Sequence, residues 1–157
     1  MTQRSNGITV AVGADHAGRV LQDAVCEAIA AAGHRPFVVT SEPTDPSVEY
    51  PDIARLVGAA IREGRATRGI LICGSGAGMT VAANKLHGIR ACVAHDTYTA
   101  HQMVEHDNVN VLALGARVVG PELAVEVVTA FALASFSGEE RHLRRVAKVS
   151  ELERMGR

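Results

Sequence analysis

A chain of 157 residues, 47% hydrophobic and 21% charged, is sized for one compact unit around one core and is too apolar for disorder. Sixteen basic residues against 17 acidic ones give a formal net charge of −1, which removes the electrostatic motive for nucleic-acid or membrane-surface binding. With no Trp, two Tyr and three Phe, base-stacking platforms are also poorly supplied. Cys26, Cys73 and Cys92 form no CxxC pair, so neither a disulfide scaffold nor a structural zinc site is expected, and a reducing cytosol is the expected compartment. The opening MTQRSNG lacks an apolar h-region and no apolar run is long enough to span a bilayer, so neither a secretory leader nor a membrane span is expected.

In chain order, Ile8 to Val12 reads as a buried strand ending at Gly13, and the helical spacing of Val20, Leu21, Ala24, Val25, Ala28 and Ile29 predicts a helix stopped by Gly33. Phe37 to Val39 is a second strand, Ser41 to Pro51 a proline-rich loop, and Asp52 the expected N-cap of a helix bearing Ile53, Leu56, Val57, Ala60 and Ile61. Ile70 to Cys73 is a third strand running into Gly74-Ser75-Gly76-Ala77-Gly78, with a short helix from about Met79 to Lys85. Ala91 to Ala94 is a fourth strand, followed by a helix capped at Asp96 or Thr97 and running towards His106. Val111 to Leu114 is a fifth strand, Pro121 opens a helix, Ser137-Gly138 breaks it, and a charged helix fills Glu139 to Glu153. Strands and helices alternate and several strands are continuously apolar, which predicts a parallel sheet covered on both faces, an open doubly wound α/β fold. Residues 1–157 read as one domain, with 1–7 a flexible lead and 139–157 a terminal helix and tail. Ligands of such sheets bind at the carboxyl ends of strands, near a switch in strand order.

Four segments carry chemistry. A strand, three glycines and a helix start at Cys73 to Met79 surround an anion site with backbone N–H groups, yet the spacing is neither GxGxxG, nor GxxxxGK[ST], nor GxSxG. Cys73, at the mouth of that loop, is either a thiolate favoured by neighbouring amides or a small apolar residue closing a strand, while Cys26 and Cys92 are packing residues. Asp15 and His16 follow the first strand, where Asp15 either takes a sugar hydroxyl or caps the next helix and His16 holds a phosphate or ring oxygen. His106, entering the fifth strand, is better placed for a site than His95 or His101, which read as surface or capping residues; no metal-binding spacing occurs. Arg117 follows the fifth strand, and Arg141, Arg145 and Lys148 share one helix face, as either a solvated stripe or guanidinium forks for phosphate.

The runs Ala14-Asp15-His16-Ala17-Gly18, Tyr50-Pro51-Asp52, Ile70 to Met79, Ala82-Ala83-Asn84-Lys85, Gly88-Ile89-Arg90-Ala91, Asn110 to Arg117 and Arg141-His142-Leu143-Arg144-Arg145 resemble, in order, ribose-5-phosphate isomerase type B and its galactose-6-phosphate isomerase relatives. The resemblance spans Ile8 to Val149 and implies a Rossmann-like three-layer α/β/α fold with a five-stranded parallel sheet and a C-terminal helix. It implies a homodimer or dimer of dimers with shared sites and no cofactor, acting on a sugar phosphate; spacing and charge by themselves already speak for no metal, no nucleic acid and no membrane. By the resemblance, Cys73 moves a proton between C1 and C2 with Ser75 beside it, His106 helps open the sugar ring, and Asp15 handles a hydroxyl. His16, Arg117, Arg141 and Arg145 hold the phosphate, some from a partner chain, and the backbone of Gly74, Gly76, Ala77 and Gly78 forms the anion hole. Ribose 5-phosphate is the expected substrate; the alternatives are erythrulose 4-phosphate, allose 6-phosphate or galactose 6-phosphate, or a non-catalytic module that binds a phosphometabolite. Two departures bear on the sugar: Glu49 stands where the family has Asp, and Asp107 follows His106 where it has Asn. Either Asn108 takes the amide role or Asp107 points elsewhere.

Overall fold

A computed structural model describes residues 7–39 and 47–156. The polar opening run up to residue 6 and the 41–46 part of the expected loop lie outside the described residues. Five parallel strands, β1 (Thr9–Ala14), β2 (Arg35–Val38), β3 (Arg68–Cys73), β4 (Ala91–Val93) and β5 (Val111–Gly115), lie in the order β2-β1-β3-β5-β4. Between and after them run α1 (Arg19–Ala31), α2 (Tyr50–Arg62), α3 (Ala77–Ala83), α4 (Thr97–Asp107), α5 (Pro121–Leu133) and α6 (Glu140–Met155). The three-layer α/β/α arrangement expected from the sequence is the one observed. Among the described residues no helix is long and apolar enough to cross a membrane.

Strand alternation divides the core in two. Val10, Val12, Ile70, Ile72, Leu112 and Leu114 face one layer, packed with Leu21, Val25 and Ile29 of α1, Met103 and Val104 of α4, and Val127 and Phe131 of α5. Ala11, Leu71, Cys73, Val111 and Ala113 face the other, packed with Ile53 and Val57 of α2 and Met79 of α3. The helices leaving β1 and β3 therefore cover opposite faces. That divergence opens a crevice above the carboxyl ends of these two neighbouring strands.

Several boundaries differ from expectation for local reasons. Pro51, expected in a loop, occupies the first turn of α2, where its missing N–H costs nothing; Glu49 is the N-cap, and Asp52 sits inside the helix, its N–H on the Glu49 carbonyl. Helix α3 starts at Ala77 rather than Met79 because Gly76, with φ +81°, turns the chain directly into it. Asp96 caps α4, accepting from Thr99 N at 2.7 Å, and this bond holds its carboxyl below the usual range. Gly33, as expected, ends α1 with φ +85°.

One fastening is long-range. Arg68, at the start of β3, donates through Nη1 to the Phe131 carbonyl at 2.8 Å and through Nη2 to the Ala134 carbonyl at 2.6 Å. It thereby satisfies carbonyls left over at the end of α5, and its guanidinium lies 5.4 Å from the Phe131 ring centre. Arg68→Met keeps the stem and removes the donors; it is expected to lower unfolding free energy by about 2 kcal/mol, read as a lower denaturant midpoint at unchanged slope.

Candidate active site

The crevice between β1 and β3 is a cleft of about 390 Å³ that receives Asp15, His16, Cys73, Gly74, Ser75, Gly78 and Arg117, together with Tyr50 and Val118. Cys73 is 6% exposed and packs in the α2–α3 core, yet it lines this cleft, so its sulfur is at once a core atom and a site atom. The Gly76 N–H donates to Cys73 Sγ at 3.1 Å and fixes the sulfur's direction. Cys26 and Cys92 differ: burial first, and then the carboxylates of Asp23 and Asp107 respectively, push their thiols up, as befits neutral packing residues.

The glycine loop is locked from beneath. A Cβ on Gly115 would lie 2.7 Å from the Ser75 backbone, so only glycine lets β5 press against the loop. The Ala116 N–H donates to the Cys73 carbonyl at 2.8 Å and the Arg117 N–H to the Gly74 carbonyl at 3.0 Å, so the residue carrying the guanidinium is aligned by the loop itself. His95, expected at the surface or as a cap, is half-buried and takes the Gly115 N–H on Nε2 at 2.9 Å, bracing this junction from the other side. The loop leaves fewer unspent backbone donors than the expected anion site would use. The Gly76 amide is spent on Cys73, and the Ala77 amide on Ser75 Oγ at 3.2 Å, which leaves Gly74, Ser75 and Gly78 at the cleft wall.

Of the two alternatives for Asp15, its hydrogen bonds show the structural one, at the turn into α1. Its Oδ1 accepts from Ala17 N at 3.0 Å and Gly18 N at 2.9 Å, organising the turn into α1, while the carboxylate still lines the cleft beside the exposed His16. Tyr50 was quoted in a motif but not expected in the site. Its ring covers Gly78 so closely that a Cβ there would lie 3.0 Å from it. Val118, 57% exposed at the mouth, had no signal beyond following Arg117.

The remaining expected residues stand elsewhere. Helix α4 leaves the carboxyl end of β4 and delivers His106 to the amino end of β5, so its eleven residues carry the imidazole about 16 Å back along the sheet. His106, Asp107, Asn108, Arg141 and Arg145 are all absent from the lining of the Cys73 cleft. They gather where α6 packs on α4. Asn108 takes a left-handed conformation, φ 51°, as the C-cap of α4, and its carbonyl accepts from Arg90 Nε at 2.6 Å. Asn110 ties the same edge together, accepting from Arg90 N at 2.8 Å and donating to the Gly88 carbonyl at 2.9 Å. Glu153 of α6 accepts from Gly88 N at 2.8 Å. A cavity of about 470 Å³ here is lined by Asp107, Arg90 and Glu153 but carries no thiol or glycine loop. Arg141 pairs with Glu139 at 2.9 Å, and Arg145 is exposed on the same helix face. His142 is 1% exposed and stacked on His106; burial first, then His106 and Arg141, hold it below the ordinary imidazole range, against Glu139. Among the described residues no group of three or more His, Cys, Asp or Glu is arranged to hold a metal ion.

Comparison with known proteins adds an independent finding. Residues 10–149 match the family model described as Ribose/Galactose Isomerase. The chain is 42% identical over 131 residues to the D-erythrulose-4-phosphate isomerase of Pectobacterium atrosepticum, covering 83% of this chain and 86% of that one. It is 40% identical over 147 residues to the ribose-5-phosphate isomerase B of Escherichia coli, covering 92% and 95%. The solved structure of Clostridium thermocellum ribose-5-phosphate isomerase B superposes with a TM-score of 0.88 at 38% identity, over 96% of this chain and all of that one.

Proposed function

The chain belongs to the ribose/galactose isomerase family, and from that premise we propose that it interconverts D-ribose 5-phosphate and D-ribulose 5-phosphate, with Cys73 as the base. The observation that carries the reading is a sulfur held by Gly76 N–H in the wall of a cleft that Arg117 also lines. Phosphate bound by His16 and Arg117 anchors the unreactive end of the sugar and orients C1 and C2 over Sγ.

The steps balance without a redox partner. As the closed sugar opens, the C1–O4 bond breaks, O4 takes a proton from His106, and the anomeric hydroxyl gives its proton to Asp15, leaving a C1 aldehyde. The Cys73 thiolate removes the C2 proton, and the electron pair moves onto O1 as an enediolate. The thiol returns its proton to C1 while the O2 proton passes to O1, so C2 becomes the ketone. Ser75 Oγ already accepts from Ala77 N–H, which frees its O–H to donate to the enediolate oxygens.

This scheme needs two copies. His106 stands towards the amino end of β5 while Cys73 lies at the carboxyl end of β3, and Arg141 and Arg145 are outside the Cys73 cleft, so a neighbouring chain's α4–α6 corner supplies all three. Leu143, Val149, Leu152 and Met155 of α6 are each more than half exposed, and such an uncovered apolar stripe favours association with a second copy. Asp107, in place of an amide, brings a carboxylate near the sugar and bears on chain length rather than on reaction type.

The test is a panel of four- to six-carbon sugar phosphates followed by proton NMR. Ribose 5-phosphate is expected to give the highest kcat/KM, about tenfold or more above erythrulose 4-phosphate, allose 6-phosphate and galactose 6-phosphate. A higher value for erythrulose 4-phosphate would overturn the substrate while keeping the chemistry. Membership of an isomerase family leaves the binding-module alternative without support.

A further inference from the structure

The corner that presents His106 contains two side chains the scheme above does not use. Gln102, one turn earlier on α4, places Nε2 2.8 Å from His106 Nδ1. His142 stacks its ring on His106 with centres 4.2 Å apart and planes 25° from parallel. His142 is the buried polar side chain of the described residues, 1% exposed, and Ser137 Oγ stands 2.6 Å from its Nδ1. Ser137 N in turn donates to the Glu105 carbonyl at 3.0 Å, which ties the segment before α6 to the same turn of α4 that carries His106.

Burying an imidazole at a helix–helix contact costs free energy unless its nitrogens are satisfied, and an apolar ring would fill the space without that demand. What a hydrogen-bonded imidazole adds is a fixed plane. The Ser137 bond sets the rotation of His142, and the face-to-face contact transmits that plane to His106. Gln102 sets the other variable. Pairing with the Gln102 amide nitrogen gives His106 Nδ1 the acceptor role and leaves Nε2 as the nitrogen for the proton that a sugar ring oxygen requires as the ring opens.

We propose that Gln102 and His142 are positioning residues that fix the tautomer and the plane of His106 for ring opening, an inference resting on the reading of His106 given above. They act through His106 and not on the proton transfer at Cys73.

The chemistry of the sugars separates the two steps. Ribose 5-phosphate closes into a ring through O4, whereas ribulose 5-phosphate, with O5 esterified, stays open. Washout of its C1 hydrogen into D2O needs Cys73 and the enediolate but no ring opening. Gln102→Leu and His142→Phe are therefore expected to lower kcat/KM for ribose 5-phosphate about 10- to 100-fold while leaving C1 deuterium incorporation into ribulose 5-phosphate within about twofold. If the His142 variant does not fold, Ser137→Ala, at an exposed position, releases the same imidazole and carries the test with Gln102→Leu. A parallel fall in both readouts, or no fall in either, overturns the proposal. His106→Asn is the reference. If it too lacks the split, the ring-opening reading of His106 has failed; if it alone shows the split, only the positioning roles have failed.

Discussion

Cys73→Ala is expected to lower kcat for aldose–ketose conversion by about 10³-fold while the affinity for a non-reacting five-carbon phosphate ester stays within about threefold. In the proposed scheme His16 and Arg117, and not the thiol, hold the phosphate, so ground-state binding is expected to survive its loss. The fold survives as well, because the substitution removes one small atom from a side chain 6% exposed at the cleft wall; loss of the acceptor for the buried Gly76 N–H costs about 1–3 kcal/mol of stability, which a denaturant midpoint measured beside the kinetics reads. Stopped-flow or coupled assays give kcat, and titration calorimetry with a reduced sugar phosphate gives the affinity. Conversion at the parent rate would move the base to another group, and a matching loss of binding would make Cys73 a structural residue of the cleft wall.

Mixing two inactive variants tests the shared site. Cys73→Ala disables the cleft a chain owns, and His106→Asn disables the corner it lends. With random pairing half of the dimers are mixed, and each mixed dimer has one site in which both residues are intact. Co-refolding the two variants in equal amounts is therefore expected to restore about a quarter of parental activity for a twofold-symmetric pair. Each variant alone stays inactive. No recovery after verified exchange of chains would mean that Cys73 and His106 do not serve one site across an interface. Recovery would also set the minimum working unit at two chains, which light scattering at low protein concentration checks directly.

Much of the fold was legible because its signals are local. Continuous apolar runs such as Ile70 to Cys73 announce strands buried on both faces, and Pro121 and Asp96 announce helix starts by the hydrogen bonds that they omit or supply. The strands lengthen beyond expectation at Ala14 and Gly115 because pairing partners from β3 extend the ladder, which no local window contains. Pro51 was misread because a proline in a proline-rich stretch looks like loop until a helix is seen to begin there.

Within the candidate site, the sequence by itself determined which residues leave the carboxyl ends of β1, β3 and β5: Asp15, His16, Cys73, the glycines and Arg117. That follows from chain order, because in a parallel sheet every strand ends on the same side. The same rule held a signal that went unused, since a residue entering β5 from a helix must lie on the other side, and His106 does. Tertiary structure alone decided the rest. Which loop amides are already spent, that Tyr50 roofs Gly78, and that His142 lies flat on His106 depend on surfaces brought together by packing between segments distant in the chain. Spacing along a sequence reports a helix face or a turn; it carries no record of what another element lays against that face.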